Sequence, residues 1–416
     1  MPQHQTYAPL RVDGAEMRLV SLPLVTPFTI ATGTMHDKTF PLLILKADGL
    51  EGYGEGVMDP LPDYLDESIT GSMDFVRTVL LPQVIGKSFA NPAELEALFA
   101  PWRGFYMAKA MVEMAFWDLW AKSLSLPLKA LLGGTNDAIE VGVSLGITSV
   151  EETVKRAVAH QELGYKRIKL KIKPGHDVAV LAAVRKALPK SHLTVDANTS
   201  YSLSDTGVFR ALDDFDLDYI EQPLAWDDIH DHAKLQSRIT TPLCLDESIR
   251  SAADARKALE SDAARVINIK VGRVGGHLEA KRIHDLCAAF DVPVWCGGML
   301  EGGIGRAHNI HLSTQPNFRK PGDTSSSSLY FTKDIINEAL TAEDGLMPIP
   351  PGSGIGVTLD WDFLAKVSSG IETFSKLASP CRNPKSATST AWPNSGRPRL
   401  YRTTSGARRI PPTRPI

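Results

Sequence analysis

The sequence predicts an α/β protein: a barrel of alternating parallel strands and helices, with a smaller α+β domain ahead of it. Three observations lead there. Apolar runs of strand length at Val141 to Ile147, Arg167 to Ile172, Leu193 to Ala197, Leu217 to Ile220, Leu243 to Leu245, Val266 to Val271 and Val292 to Trp295 alternate with amphipathic stretches such as Val150 to Leu163 and Gly276 to Phe290, the rhythm of parallel βαβ units. Charged groups also recur at a near-constant interval. From Lys171 through Asp196, Glu221 and Asp246 to Lys270 the gaps are 25, 25, 25 and 24 residues, and each of the three acids ends an apolar run. Finally, no strong phosphate loop follows the first run, and Gly272-Arg-Val-Gly-Gly276 has the wrong spacing for a dinucleotide fingerprint, so a closed barrel fits better than an open sheet.

In chain order, residues 1–138 read as the α+β domain. Strand-like runs at Met17 to Leu24 and Phe40 to Lys46 precede Gly49, Gly52, Gly54 and Gly56, which read as turn punctuation in an antiparallel meander. Helical periodicity follows from Pro92 to Leu131 and stops at Gly133-Gly134. Residues 139–328 are the barrel, and 329–367 are expected to fold back on the N-terminal domain. Residues 368–416, rich in Ser, Thr, Pro and Arg without apolar periodicity, read as a disordered basic tail.

Composition narrows the function. With 416 residues and 43% apolar content the chain can bury a large core. Its apolar stretches are broken well before the ~20 residues that span a bilayer, and its start lacks the pattern of a secretion signal. Cys244, Cys287, Cys296 and Cys381 show no metal-ligand spacing or disulfide framework. A cytoplasmic setting without membrane partners is expected. From Pro380 onward eight basic residues meet no acidic one, so the net charge of −3 conceals a body eight charges more negative. The tail arginines are scattered and nearly free of aromatics, which argues against a nucleic-acid interface.

The chemistry lies on the barrel strands. In Arg167-Ile-Lys-Leu-Lys-Ile172 the alternation of strand side chains sends Lys169 and Lys171 to one face and Ile168, Leu170 and Ile172 to the other. The apolar face must pack against the outer helices, which leaves the lysines inside the barrel near its mouth. Like charge and partial desolvation are expected to lower their pKa towards a range useful for a general base. Asp196, Glu221 and Asp246, at the carboxyl ends of consecutive strands, should converge there and need a cation. Three hard oxygen ligands match one Mg²⁺, or Mn²⁺ in its place. Lys270 lies one unit beyond Asp246, so the two amines should flank whatever the metal holds. A carboxylate substrate whose α-carbon lies between them could lose a proton to one lysine and regain one from the other, with the metal stabilising the enediolate.

Lys169-Leu-Lys171, Asp196-Ala-Asn198, Glu221-Gln-Pro223, Asp246-Glu247 and Lys270 together resemble the enolase superfamily in its muconate-lactonizing branch, a group whose lysine base and Mg²⁺ are a standard example of enediolate stabilisation. Val141-Gly-Val-Ser-Leu-Gly-Ile147, the Arg167 to Gly175 strand and turn, Pro293 to Met299 and Asn317 to Asp323 look like the N-acylamino acid racemase and o-succinylbenzoate synthase family. The resemblance implies an α+β capping domain over a modified (β/α)7β barrel, Lys171 and Lys270 as the acid/base pair, and Lys169 as an electrostatic aid to Lys171. It implies racemisation of N-acylamino acids, N-succinyl ones especially. It also implies syn dehydration of 2-succinyl-6-hydroxy-2,4-cyclohexadiene-1-carboxylate, a step towards menaquinone, with Lys171 as base and acid while Lys270 steadies the enediolate. Substrate contacts from Ser144, Asn198, Gly298 and Met299 follow from it, with Phe28, Tyr64 and Tyr330 shaping the pocket; core packing is the competing reading for Phe28, Tyr64 and Met299. Glu301 stands where relatives often carry an acid. His308 and His311 read as packed helix residues. Relatives commonly assemble as dimers or octamers, so a homo-oligomer is expected.

Two rivals remain at this level. A dipeptide epimerase or muconate cycloisomerase would use the same machinery, but an epimerase would carry Asp-x-Asp where Trp295-Cys-Gly-Gly-Met299 stands. A non-catalytic polyanion-binding protein acting through the tail is the other.

Overall fold

The structure is a computed structural model and describes residues 8–30 and 33–375. Three antiparallel strands, β1 (Gly14–Thr29), β2 (Thr34–Ala47) and β3 (Leu50–Glu55), form the N-terminal meander. Helix α1 (Tyr106–Ser123) lies across it and is buried on nearly every side. This contact corrects the expectation that Gly52 and Gly54 mark turns. Both lie inside β3, where a Cβ would come within 2.2 Å of the Ala115 carbonyl oxygen and 2.0 Å of that of Met111. Glycine is there because the helix backbone leaves no space for a side chain.

The seven expected apolar runs all form strands: β4 (Val143–Leu145), β5 (Ile168–Lys171), β6 (Leu193–Asp196), β7 (Tyr219–Glu221), β8 (Leu243–Leu245), β9 (Val266–Ile269) and β10 (Val294–Cys296). They pair in parallel in sequence order, each with its neighbour. Helices α2 (Val150–Glu162), α3 (Val178–Ala187), α4 (Thr206–Leu212), α5 (His230–Gln236), α6 (Ala252–Glu260) and α7 (His277–Ala289) connect them, and α8 (Gly303–Leu312) follows the last. Ser149 and Ser251 cap α2 and α6 through their hydroxyls. The eighth barrel position is taken by the irregular segment 318–322. It bridges β10 at Val294 through Phe318 and the chain before β4 at Val141 through Gly322, with Gly142 donating to the Gly322 carbonyl at 2.8 Å. This is the (β/α)7β arrangement.

Beyond the barrel, Val25 donates to the Tyr330 carbonyl at 2.8 Å and Ile355 donates to Asp118 of α1 at 2.9 Å, so the C-terminal segment rejoins the N-terminal elements. Helix α9 (Trp361–Val367) leads into β11 (Ser368–Ser375), which pairs antiparallel with β1. Here the expectation of a disordered tail from residue 368 is corrected. The free edge of β1 offers unpaired backbone groups, and Arg77 on the N-terminal domain grips Glu372 with two hydrogen bonds of 2.6 Å. The rest of the basic tail, with Cys381, lies outside the described residues. Among the described residues no helix is long and apolar enough to cross a membrane.

Candidate active site

Register decides which side chains share the barrel interior. Ser144 pairs with Lys169 and Lys169 with Thr194, while Lys171 pairs with Asp196 and Asp196 with Glu221. Because strand side chains alternate, the second set forms a layer nearer the carboxyl ends of the strands. Lys169 and Lys171 point inward, while Ile168, Leu170 and Ile172 join the apolar shell against the helices. All of the predicted lysines and acids are at least nine-tenths buried.

The charges are paired in detail. Lys171 Nζ lies 2.6 Å from Asp196 Oδ2 and 2.7 Å from Asn198 Oδ1. Lys169 Nζ meets Asp323 at 2.7 Å, Glu221 at 3.0 Å and Asp196 at 3.5 Å. Across the cluster, Lys270 Nζ lies 2.7 Å from Asp246 Oδ2, whose other oxygen is held by Arg273. The order is amine, acids, amine, so the two catalytic candidates stand on opposite sides of the carboxylates. Among the described residues, no three acidic, His or Cys side chains are drawn together closely enough to hold a metal ion. Asp196, Glu221 and Asp246 each direct an oxygen at a neighbouring cation, the nearest compensation for its charge.

The electrostatics correct the expectation of a lowered pKa at Lys169. Burial opposes the charge on Lys169, but Asp323, Glu221 and Asp196 override it and raise its pKa well above the ordinary lysine value. Burial likewise opposes the charge on Lys270, and Asp246 outweighs it, so this pKa is raised too. Neither lysine is made less basic, because acids surround them more closely than their fellow cations do. Glu221 carries the strain: burial and then repulsion from Asp196 push its pKa well up. Glu247, next to Asp246, is pushed up to about 7 by burial and the charges of Asp246 and Asp196, and one of its oxygens is buried without a hydrogen-bond partner. A cluster of hard anionic oxygens with one orphaned and one strained by repulsion has the donor chemistry of a divalent-cation site.

A cavity of about 310 Å³ opens onto this cluster, reached by Lys171, Lys270, Asn198, Gly298, Met299, Phe28 and Tyr64. A smaller chamber of about 50 Å³ continues from it, reached by Ser144, Lys169, Tyr330 and, again, Phe28, Gly298 and both of the flanking lysines. Every sequence-predicted substrate contact therefore lines one of two adjoining spaces. Met299 and Tyr64 also pack in or against the apolar core of the N-terminal domain, so the packing reading and the pocket reading both hold for them. Asn198 has a left-handed backbone, φ 39°, held by its amide's bond to Asp196 at 3.0 Å and its side chain's bond to Glu247 at 3.1 Å.

Asp323 and Arg167, which the sequence left without a role, help to complete the site. Asp323, directly after the barrel-closing segment, binds Lys169 and Arg167. Arg167 lies on the same strand face as the lysines and stacks on Trp295; the i, i+2 spacing from Lys169 was the signal for it. Glu301 accepts from the Met299 amide at 2.8 Å and the Asn309 side chain at 2.9 Å, which fixes the loop bearing Gly298 and Met299. That loop is also tied to the N-terminal sheet. Glu55, at the end of β3, accepts from the Gly302 and Gly305 amides at 2.7 and 2.9 Å, at the N-terminus of α8. Glu113 of α1 does the same for α7 through His277 and Leu278. His308 bonds His277 and the Tyr53 carbonyl, and His311 accepts from the Lys129 amide, so both are packed helix residues.

Residues 15–133 match the family model described as the mandelate racemase / muconate lactonizing enzyme N-terminal domain, and residues 150–363 match the enolase C-terminal domain-like model. The chain is 53% identical over 360 residues to an N-succinylamino acid racemase of Thermus thermophilus, covering 86% of this chain and 98% of that one. It is 48% identical over 353 residues to an o-succinylbenzoate synthase of Geobacillus kaustophilus, covering 84% and 94%. A muconate cycloisomerase of Acinetobacter lwoffii is more distant, at 29% identity. Among solved structures, an enolase-superfamily member from Listeria innocua superposes with a TM-score of 0.85 at 40% identity, covering 88% of this chain and 99% of that one.

Proposed function

Because the chain belongs to the mandelate racemase and muconate lactonizing enzyme group of the enolase superfamily, we propose that it abstracts the proton α to a carboxylate, racemising N-succinylamino acids and also dehydrating the cyclohexadiene carboxylate that precedes o-succinylbenzoate. The observation that carries this is the order of groups across the barrel: Lys171, the carboxylate cluster, then Lys270. Asp196, Glu221 and Asp246 would hold one Mg²⁺ or Mn²⁺. Bound there, the ion supplies Lewis-acid stabilisation of the negative charge that develops on the substrate carboxylate.

The rest is the work of this chain's own side chains. Lys171 takes the α-proton on one face, and Asn198 and Asp196 hold its amine in place. Lys270, kept protonated by Asp246, can return a proton on the opposite face in racemisation. In the dehydration the same positive charge steadies the enediolate, while Lys171 serves as base and then as acid to the leaving hydroxyl. Lys169, held charged by three acids, adds positive potential beside Lys171.

A cytoplasmic homo-oligomer acting on small carboxylates is the setting this reading supposes. Racemisation and dehydration should be measured side by side on purified protein with Mg²⁺ or Mn²⁺, together with deuterium exchange at Cα. Exchange that proceeds only with a different carboxylate would sink the substrate assignment and leave the chemistry standing.

A further inference from the structure

The inner chamber is lined by one cation that no acid pairs with. Lys169, Lys171 and Lys270 each stand against carboxylates. Arg306 of α8, only 2% exposed, does not. Its guanidinium donates to the Ser325 carbonyl at 2.8 Å and the Glu301 carbonyl at 3.2 Å, and lies 5.3 Å from the centre of the Tyr330 ring. Its Nε has no partner, and no carboxylate among the described residues is within ion-pair distance. The two acids that share the chamber are already engaged, Asp323 by Lys169 and Arg167, and Glu301 by the Met299 amide and Asn309. Ser144, lining the same chamber, has a buried hydroxyl that is also unpartnered.

A buried charge without a counter-charge is costly, and so is a buried hydroxyl without a hydrogen bond. Two neutral carbonyls satisfy two donors but leave the charge uncompensated. The chamber, at about 50 Å³, has room for a carboxylate-sized group. It joins the larger cavity at Lys171 and Lys270, so a substrate whose reacting carbon lies between those amines can send one arm into it.

Resting on the reading that the substrate carries a succinyl chain, we propose that Arg306, with Ser144, recognises the terminal carboxylate of that chain and sets the preference for a dicarboxylate substrate. Arg306 is then a specificity-determining residue that touches substrate without taking part in the proton transfer. The α-carboxylate is left to the acid and lysine cluster.

The test compares two substrates that differ only at the chain terminus, an N-succinylamino acid and its terminal carboxamide, in wild type, Arg306→Lys, Arg306→Met and Ser144→Ala. Wild type should favour the carboxylate by about tenfold or more in kcat/KM, the scale of one charge-assisted hydrogen bond. Arg306→Met should collapse that ratio towards one, chiefly through KM; Arg306→Lys should restore part of it, and Ser144→Ala should lower it less. Equal losses on both substrates in Arg306→Met and Arg306→Lys would mean that the arginine only braces the Ser325 and Glu301 carbonyls, and would overturn the proposal. So would a wild type that does not discriminate, a result that needs no variant to fold. Exchange of the α-proton on neither compound would instead sink the N-succinyl reading itself, and this inference with it.

Discussion

Lys270 carries its ammonium 2.7 Å from the hydroxyl of Tyr64, which in turn donates to Asp246 at 3.1 Å. The contact joins the barrel to the N-terminal domain at the atom proposed to move a proton. Replacing Tyr64 with Phe removes one of the groups that aim the Lys270 amine without emptying the aromatic site. Racemisation is expected to fall by about tenfold, the scale of one lost hydrogen bond to a charged group. Deuterium incorporation measured separately from each enantiomer should show the larger loss in the direction that uses Lys270.

The opposed placement of the amines makes a sharper prediction for the lysines themselves. Lys171→Ala and Lys270→Ala should each reduce racemisation by roughly 10² to 10⁴. Each should abolish Cα exchange from one enantiomer while sparing it from the other. Loss of both exchanges in both variants, with circular dichroism unchanged, would contradict the two-sided arrangement.

The proposed donor set predicts metal dependence. Chelation by EDTA should abolish exchange, and Mg²⁺ or Mn²⁺ should restore it. Titrating either ion into the stripped protein should raise its melting temperature, as any ligand of the native state does. Asp246→Asn should weaken that response by removing one anionic donor.

The carboxylates at the helix N-termini predict how stability varies with pH. Glu55 and Glu113 are each pushed up from the ordinary glutamate value of 4.5 to about 8 by burial, which their backbone hydrogen bonds only partly offset. Between these values the native state holds protons that the unfolded chain releases, so stability falls as pH rises. The contribution is fully present below about pH 4.5 and lost as pH passes 8. Melting curves from pH 5 to 9 should show this decline, and it should be shallower in Glu55→Gln, which cannot ionise but keeps a carbonyl for the Gly302 or Gly305 amide.

Strand β11 decides where the tail can be cut. Every site residue lies before Val367, but a chain ending there lacks the strand paired with β1 and the Arg77–Glu372 contact. Ending the chain after Lys376 should leave exchange and melting temperature unchanged, whereas ending it after Val367 should lower the melting temperature by a few degrees, the scale of a loss of roughly 2 to 4 kcal/mol in a chain of this size.

The sequence by itself determined the strand–helix alternation, the inward face of Lys169 and Lys171, and the chemical type of the site, because each rests on a period that the chain carries locally. A two-residue alternation decides which side chains share a face, and a 25-residue interval between functional groups counts out the βα units. What only the tertiary structure decided depends on groups far apart in the chain. Whether Lys169 is more or less basic than usual turns on Asp323, some 150 residues away, directly after an irregular closing segment without strand periodicity. Gly52 and Gly54 look like turn residues until a helix is laid against them. Strand β11 offers little apolar pattern and exists because β1 has a free edge to pair with. The missing counter-charge of Arg306 is likewise invisible in one dimension, since an ion pair, or its absence, is a property of distances in the folded chain.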